Sequence, residues 1–331
     1  MKAMVMSAPG DPDVLQRQDV PAPTLQGERD LRIRLRAAGV NPIDTKLRGR
    51  GTYIAPEEPA VLGCDGAGVV EEAGAGCSRF APGDEVFFFN GGIGGMDGTY
   101  AEQTVVDERW VAAKPPTLSF TEAAALPLVG ITAWEALFDH GGLSAGQSVL
   151  IHAGAGGVGH IAVQLAADAG ATVATTVGSA EKAELVRELG AHQAILYQET
   201  DFAESARAFT RGRGVDLVFD TVGPGVLEAS FPAVRFYGRA VTLLDPKGVD
   251  FKQARLRNQG IQLELMLSPL YFGLEEARAH QTAILERIAQ MVAEQRLRVR
   301  VPWYFPLAEA AAAHRLIEEG GMTGKAVLTT D

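Results

Sequence analysis

VLIHAGAGGVGHIAVQLAADAG, residues 149–170, carries the marks of strand, turn and helix in unbroken succession. Val149, Leu150 and Ile151 form the short continuous apolar run of a strand buried on both faces. Gly154, Gly156 and Gly159 then give the spacing G-x-G-x-x-G, with Gly157 and Val158 between the last two. Ile161, Ala162, Leu165 and Ala169 recur near one helical face until Gly170, and a second apolar run, 171–177, begins at once. Strand, glycine turn, helix and strand make a βαβ unit, and this glycine spacing at its turn suits a dinucleotide. Gly154 permits the tight turn, Gly156 leaves room for a pyrophosphate, and Gly159 lets helix and strand pack closely. The phosphates would lie on free N–H groups at a helix N-terminus, where the dipole favours negative charge. The alternative is the same turn in a sheet that binds nothing.

The tip of the second strand indicates which dinucleotide. An NAD site places Asp or Glu there to hold the ribose hydroxyls. Here the strand ends Thr176-Val177-Gly178-Ser179, with no carboxylate. Gly178 leaves space for a 2′-phosphate, Ser179 can donate a hydrogen bond, Lys182 can supply charge one turn on, and Tyr197 can reach the same spot. This points to NADPH through charge-assisted contacts. The competing view makes Ser179 an N-cap and Lys182 a solvated helix face.

Farther along, strands are expected at 172–177, 193–196, 215–219, 239–244 and 261–266, with helices between them such as Glu181–Leu189 and Phe202–Phe209. This alternation implies an α/β, doubly wound parallel sheet. A long amphipathic helix is expected over 274–295, another over 307–319, and a last strand at 326–328. Ahead of the glycine turn, residues 1 to 115 look β-rich, with strand candidates at 2–8, 31–37, 69–73, 85–89 and 101–106 separated by Gly and Pro turns. Ser119-x-x-Glu122 reads as a capping box, and the helix it opens should break near Pro127 and resume through Leu137.

The chain has 331 residues, 47% hydrophobic and 21% charged, enough for about two domains with real cores. A net charge of −11 leaves no basic field for nucleic acid or a membrane surface. Cys64 and Cys77 are the only cysteines, too few for a disulfide scaffold or a four-cysteine zinc lobe, which suits a reducing compartment. The N-terminus lacks the apolar core of a signal peptide, and no stretch approaches the ~20 apolar residues of a membrane span. A cytoplasmic protein is expected.

AAGVNPID (37–44), GCDGAGVV (63–70), PGDEV (82–86), LPLVGITAW (126–134), AGAGGVG (153–159), VGSAEK (177–182), VDLVFDTVG (215–223) and GKAVL (324–328) occur in this order. In them the chain resembles the zinc-independent medium-chain dehydrogenases/reductases, the quinone oxidoreductase and zeta-crystallin group. The resemblance implies a Rossmann domain (123–266) that binds NADPH, inserted in a GroES-like β-barrel catalytic domain made of 1–122 and 267–331. Zinc relatives carry a Cys in the segment matching 37–44 and a His-Glu pair in that matching 63–70. Here Asn41 and Cys64-Asp65 stand there, a third ligand would fall near Val129, and no zinc is expected. The histidines, among them His140, His160 and His314, show no ligand spacing and read as surface or capping residues.

The resemblance further places the family's phosphate-binding Ser, Lys and Tyr at Ser179, Lys182 and Tyr197. It puts Asn41 at the nicotinamide region on a Pro-containing loop that Asp44 fixes, and Thr132 near the nicotinamide; the alternatives are a turn cap for Asp44 and a mid-helix Thr bonding its own backbone for Thr132. Tyr53, in the loop 49–59, would hydrogen-bond a substrate oxygen or relay a proton, with plain surface as its alternative. Leu267 and Ser268, at the end of the last Rossmann strand, would line the nicotinamide pocket. Cys64 is expected to be packing, and Phe87, Phe88 and Phe89 barrel core. The implied activity is hydride transfer from NADPH to a quinone or an α,β-unsaturated carbonyl. An enone reductase for one metabolite, a non-catalytic NADPH-binding crystallin-like protein and a zinc alcohol dehydrogenase are the competing readings. A homodimer joined through strands near 261–266 is also implied.

Overall fold

The computed structural model describes residues 1–330. The chain opens with β1 (Lys2–Met6), β2 (Leu15–Asp19) and the long β3 (Asp30–Val40), which leads directly into helix α1 (Pro42–Arg50). Then come β4 (Ala60–Val61), β5 (Asp65–Ala73), β6 (Glu85–Phe89), β7 (Gln103–Asp107) and β8 (Val111–Ala113). The short α2 (Phe120–Ala124) begins at the capping box Ser119–Glu122, and α3 (Pro127–Trp134) runs into a π-helical turn, Glu135–His140. Helices and strands then alternate: β9 (Ser148–Ile151), α4 (Gly159–Asp168), β10 (Thr172–Val177), α5 (Ala180–Glu188), β11 (Gln193–Leu196) and α6 (Phe202–Phe209). The series continues with β12 (Val215–Asp220), α7 (Pro224–Ser230), β13 (Val234–Thr242), α8 (Lys252–Leu256) and β14 (Gly260–Leu263). The end of the chain supplies α9 (Ser268–Phe272), α10 (Glu275–Ala293), β15 (Trp303–Pro306), α11 (Ala310–Glu319) and β16 (Ala326–Thr329).

Packing divides the chain into two units, one of Met1–Leu128 with everything from Leu267 onward, the other Val129–Met266. The first unit holds a three-stranded sheet, β2-β1-β4, and a larger sheet in the order β15-β16-β3-β5-β6-β8, with β7 also paired to β3. Within these sheets only the β15–β16 pair is parallel. β3 organises the larger sheet because Leu31, Ile33 and Leu35 alternate inward at the strand period of two, meeting Val70, Phe88 and Val106 in one core. Phe87, Phe88 and Phe89 are buried, as expected of barrel core.

The second unit is a six-stranded, all-parallel sheet in the order β11-β10-β9-β12-β13-β14. Counted within the unit, that is 3-2-1-4-5-6, the doubly wound order whose direction reverses between β9 and β12. Leu150, Ala174, Val218 and Ala240 from four strands share a core with Leu227 and Phe231 of the α7 region. Phe231 is fully buried, an aromatic anchor of roughly 1.5–3 kcal/mol.

Several elements differ from the sequence expectation. The segment after β3, read as a loop, is helix α1, so the loop carrying Tyr53 starts only at Gly51. The strand expected at 261–266 ends at Leu263, and Leu267 and Ser268 stand at the head of α9 instead of closing a strand. β2, β4, β8 and β15 fall outside the strands that the sequence pattern predicts. No helix among the described residues is long and apolar enough to cross a membrane.

Candidate functional site

In the second unit the three glycines do different things. A β-carbon on Gly154 would lie 2.0 Å from Thr175 Oγ1, and one on Gly159 2.2 Å from the Ala153 carbonyl. Both therefore mark close approaches of backbone to its neighbours. The left-handed residue of the turn is Ala153, at φ +52°, not Gly154. The Ala153 N–H donates to Thr176 Oγ1 at 3.1 Å, which helps hold that conformation. A β-carbon on Gly156 would meet only the Ala153 oxygen, at 3.2 Å, so the turn is open in front of it. The N–H groups of Gly157 and Val158 have no hydrogen-bond acceptor among the described residues, and no side chain caps α4. Two orphan donors at an open glycine and a helix N-terminus fit a pyrophosphate. Beneath the turn, His152 bonds Thr176 Oγ1 at 3.2 Å and Ser230 Oγ at 2.8 Å, and burial lowers its pKa to about 3.

The next loop follows the C-terminal end of the adjacent parallel strand, β10. Ser179 caps α5, its Oγ accepting from the Lys182 N–H at 3.3 Å. Tyr197 lies over Gly178, its hydroxyl 3.1 Å from where a β-carbon would stand, and half its surface is exposed. Gly178, Ser179, Lys182 and Tyr197 are thus gathered at one strand tip that bears no carboxylate.

In the first unit, Asn41 and Asp44 begin α1. Asn41 is its N-cap, Pro42 its first residue, and the Asn41 N–H donates to Asp44 Oδ2 at 2.8 Å. Both side chains are fully buried. Asn41 Nδ2 donates to Asp65 Oδ2 at 2.9 Å, while Lys325 Nζ donates to Asn41 Oδ1 and, at 3.0 Å, to the Val40 carbonyl. The same ammonium lies 4.0 Å from Asp65 Oδ2, and Asp65 Oδ1 accepts from the Leu128 N–H at 2.8 Å. Tyr100 donates its hydroxyl to Asp44 at 3.0 Å and meets His314 Nε2 at 3.1 Å. Burial, the largest cause, raises Asp44 to about 7 and Asp65 to about 6, against the pull of Lys325. Burial also lowers His314 to about 3 and pushes the Cys64 thiol well up. Cys64 is buried packing, 3.9 Å from Asp44 Oδ1. Thr132 is buried in α3, in the second unit. Tyr53 is half-buried in the loop after α1, its hydroxyl accepting from Arg50 Nη2 at 2.9 Å.

Two histidines read as surface or capping are interior: His314 in this cluster, and His160, whose Nδ1 meets the Gly156 carbonyl at 2.9 Å. The sequence pattern does not single out Tyr100, His314 or Lys325, which the fold brings to the Asn41–Asp44 cluster. Among the described residues no group of three or more His, Cys, Asp or Glu is arranged to hold a metal ion.

Two family models match the chain: zinc-binding dehydrogenase over residues 189–328 and the alcohol dehydrogenase GroES-like domain over residues 27–116. A quinone oxidoreductase of Pseudomonas aeruginosa is 34% identical over 328 residues, covering 99% of each chain. A 2-haloacrylate reductase of Burkholderia sp. is 33% identical over 337 residues, covering 98% of each. The solved structure of Escherichia coli quinone oxidoreductase complexed with NADPH matches with a TM-score of 0.87 at 28% identity, over 99% of this chain and 100% of that one.

Proposed function

Because the chain belongs to the quinone oxidoreductase family of medium-chain dehydrogenases/reductases, we propose that it is an NADPH-dependent, zinc-independent reductase of quinones or α,β-unsaturated carbonyls. The observation that carries the cofactor reading is the open turn at Gly156 with the orphan N–H groups of Gly157 and Val158. Gly154 and Gly159 shape that turn. The acid-free tip at Gly178, with Ser179, Lys182 and Tyr197 beside it, supports NADPH over NADH. Ser179 keeps a hydroxyl proton to donate to a 2′-phosphate while its oxygen caps α5. Thr132, Leu267 and Ser268 are the further residues proposed for the nicotinamide end.

Zinc independence is supported by donor chemistry. Asn41, Cys64 and Asp65 stand in the segments where zinc relatives carry ligands. Here the amide is tied to an ammonium, Lys325, and burial favours a protonated thiol. A cation already sits among these groups, and a thiol is a poor ligand until it loses its proton.

NADPH, when bound, supplies the hydride to an electrophilic carbon of the conjugated substrate, and a proton completes the reduction. Asn41 and Asp44 are proposed as positioning residues that hold the first turn of α1 through Asp65 and Lys325. Tyr53, half-buried in the loop after α1, is the proposed contact to a substrate oxygen. The protein is further proposed to be cytoplasmic and homodimeric.

The test is NADPH oxidation by purified, chelator-treated protein against a matched panel of quinones, enones and simple aldehydes. Turnover of quinones or enones is expected, without stimulation by zinc. Activity that is lost on chelation and restored by one equivalent of zinc overturns the metal-free reading. NADPH binding without turnover of any acceptor overturns the reductase.

A further inference from the structure

Lys46 and Arg50 are four residues apart on α1, are both exposed, and so share one face of the helix. The chain carries a net charge of −11, yet neither cation has a carboxylate partner among the described residues. The Lys46 pKa is lowered, first by desolvation and then by Arg50. Arg50 stands at the C-terminal end of α1, where the helix dipole welcomes a cation, but Lys46 in mid-helix gains little from it. Like charges at this spacing cost stability, so an anion placed between them would relieve a repulsion as well as make new contacts.

An aromatic surface adjoins this pair. The Arg50 guanidinium lies over the Tyr53 ring at 5.4 Å. Tyr53 meets Tyr271 edge to face at 5.6 Å, and Tyr271 meets Phe272 at 4.7 Å. Tyr271 and Phe272 remain 42% and 66% exposed. All five residues belong to the first unit. Planar conjugated groups pack well against such rings in edge or offset geometry.

We propose that this face selects substrates whose flat conjugated body carries a carboxylate, with Lys46 and Arg50 holding the anion and Tyr53, Tyr271 and Phe272 the ring. The assignment rests on the reading of the chain as a reductase of conjugated carbonyls and narrows its substrate class. Arg50 can offer the carboxylate its planar fork, and Lys46 a compact point charge.

The test compares 4-carboxybenzalacetone with its methyl ester, two enones that differ only in that charge. The acid is expected to have the higher kcat/KM at low salt. Lys46→Gln or Arg50→Gln should lower the acid-over-ester ratio about tenfold, the scale of one charge-assisted contact. Added salt should lower it in the same direction. Tyr271→Leu should weaken both compounds. Calorimetric titration of the acid, with and without NADP⁺, separates the two levels of the argument. Lys46-dependent binding of the acid without reduction of either enone keeps the anion face and removes the reductase reading. Reduction of both enones with a ratio that neither variant nor salt moves keeps the reductase and overturns the anion face.

Discussion

At Gly156 the backbone has an ordinary φ, and a side chain would press on a single carbonyl oxygen. Gly156→Val should therefore fold and yet place its methyl groups where the pyrophosphate is proposed to lie. Thermal melts are expected to show NADPH raising the midpoint of the wild type by mass action while leaving the variant unmoved. A midpoint that still rises would remove this turn from the site. Gly154→Ala makes the contrast, because its new methyl would fall 2.0 Å from Thr175 Oγ1, so loss of stability should come first. At the neighbouring tip, Lys182→Ala should weaken NADPH by roughly 1.5–3 kcal/mol, the worth of a hydrogen bond to a charged group, and spare NADH. Equal losses for both cofactors in parallel titrations would make Lys182 a structural residue. The turn, the cap and the strand tip are legible in the sequence because each is a local feature, set by residues within a few positions of one another. Lys325 is not. Its ammonium is buried against Val40 and Asn41, 285 and 284 positions away, and a lone Lys ahead of an apolar strand carries no sign of that.

Helix α1 shows why an element can be missed while its residues are noticed. Asn41, Pro42 and Asp44 are N-cap, first residue and reciprocal cap, a full start signal. Asn-Pro also opens turns, and the helix that follows is too polar for a clear apolar stripe. β2, Leu15–Asp19, escaped for a related reason: four of its five residues are exposed, so no alternation appears. Because Asn41 joins the cap to Asp65 and Lys325, Asn41→Ala should lower stability by about 1–3 kcal/mol through unsatisfied buried partners. Chemical denaturation measures this, and single-turnover hydride transfer per folded molecule shows whether the loosened helix also slows the reaction.

The π-helical turn after α3 supports a different prediction. Glu264, buried just beyond β14, is raised to about 9 by burial, then by Glu135, with which it is hydrogen-bonded, and by Asp139. His140 Nε2 also approaches it, at 2.7 Å. The folded chain keeps a proton that the unfolded chain releases above the ordinary value of 4.5, so this contribution is full below 4.5 and is lost as pH climbs to about 9. Asp44 and Asp65 act with the same sign but over windows ending near 7 and 6. Between pH 7 and 9 the urea midpoint should therefore fall, and Glu264→Gln should flatten that fall. Parallel wild-type and variant curves would deny Glu264 its proton.

On the scale of the whole molecule, the doubly wound order of the second unit leaves β14 and β11 as edges. An open edge is a template for another strand. β11 is half-buried along its length, whereas β14 is exposed at Gly260, Gln262 and Leu263, with Leu265 exposed just beyond. In the first unit the β15 edge ends in Pro306, which has no N–H to offer a partner. β14 is thus an uncovered edge of the second unit that carries exposed leucines, and a second copy laid antiparallel across a two-fold axis would satisfy its free N–H and C=O groups and cover those leucines together. The chain is expected to sediment as a dimer at micromolar concentration. Leu263→Lys should yield a folded monomer, since that residue is 59% exposed and its loss leaves no cavity. The monomer should still bind NADPH, because the glycine turn stands between β9 and α4, across β12 and β13 from that edge. A wild type that sediments as a monomer would disprove the pairing. A Leu263→Lys protein that remains dimeric would move the interface off β14 while leaving a homodimer in place.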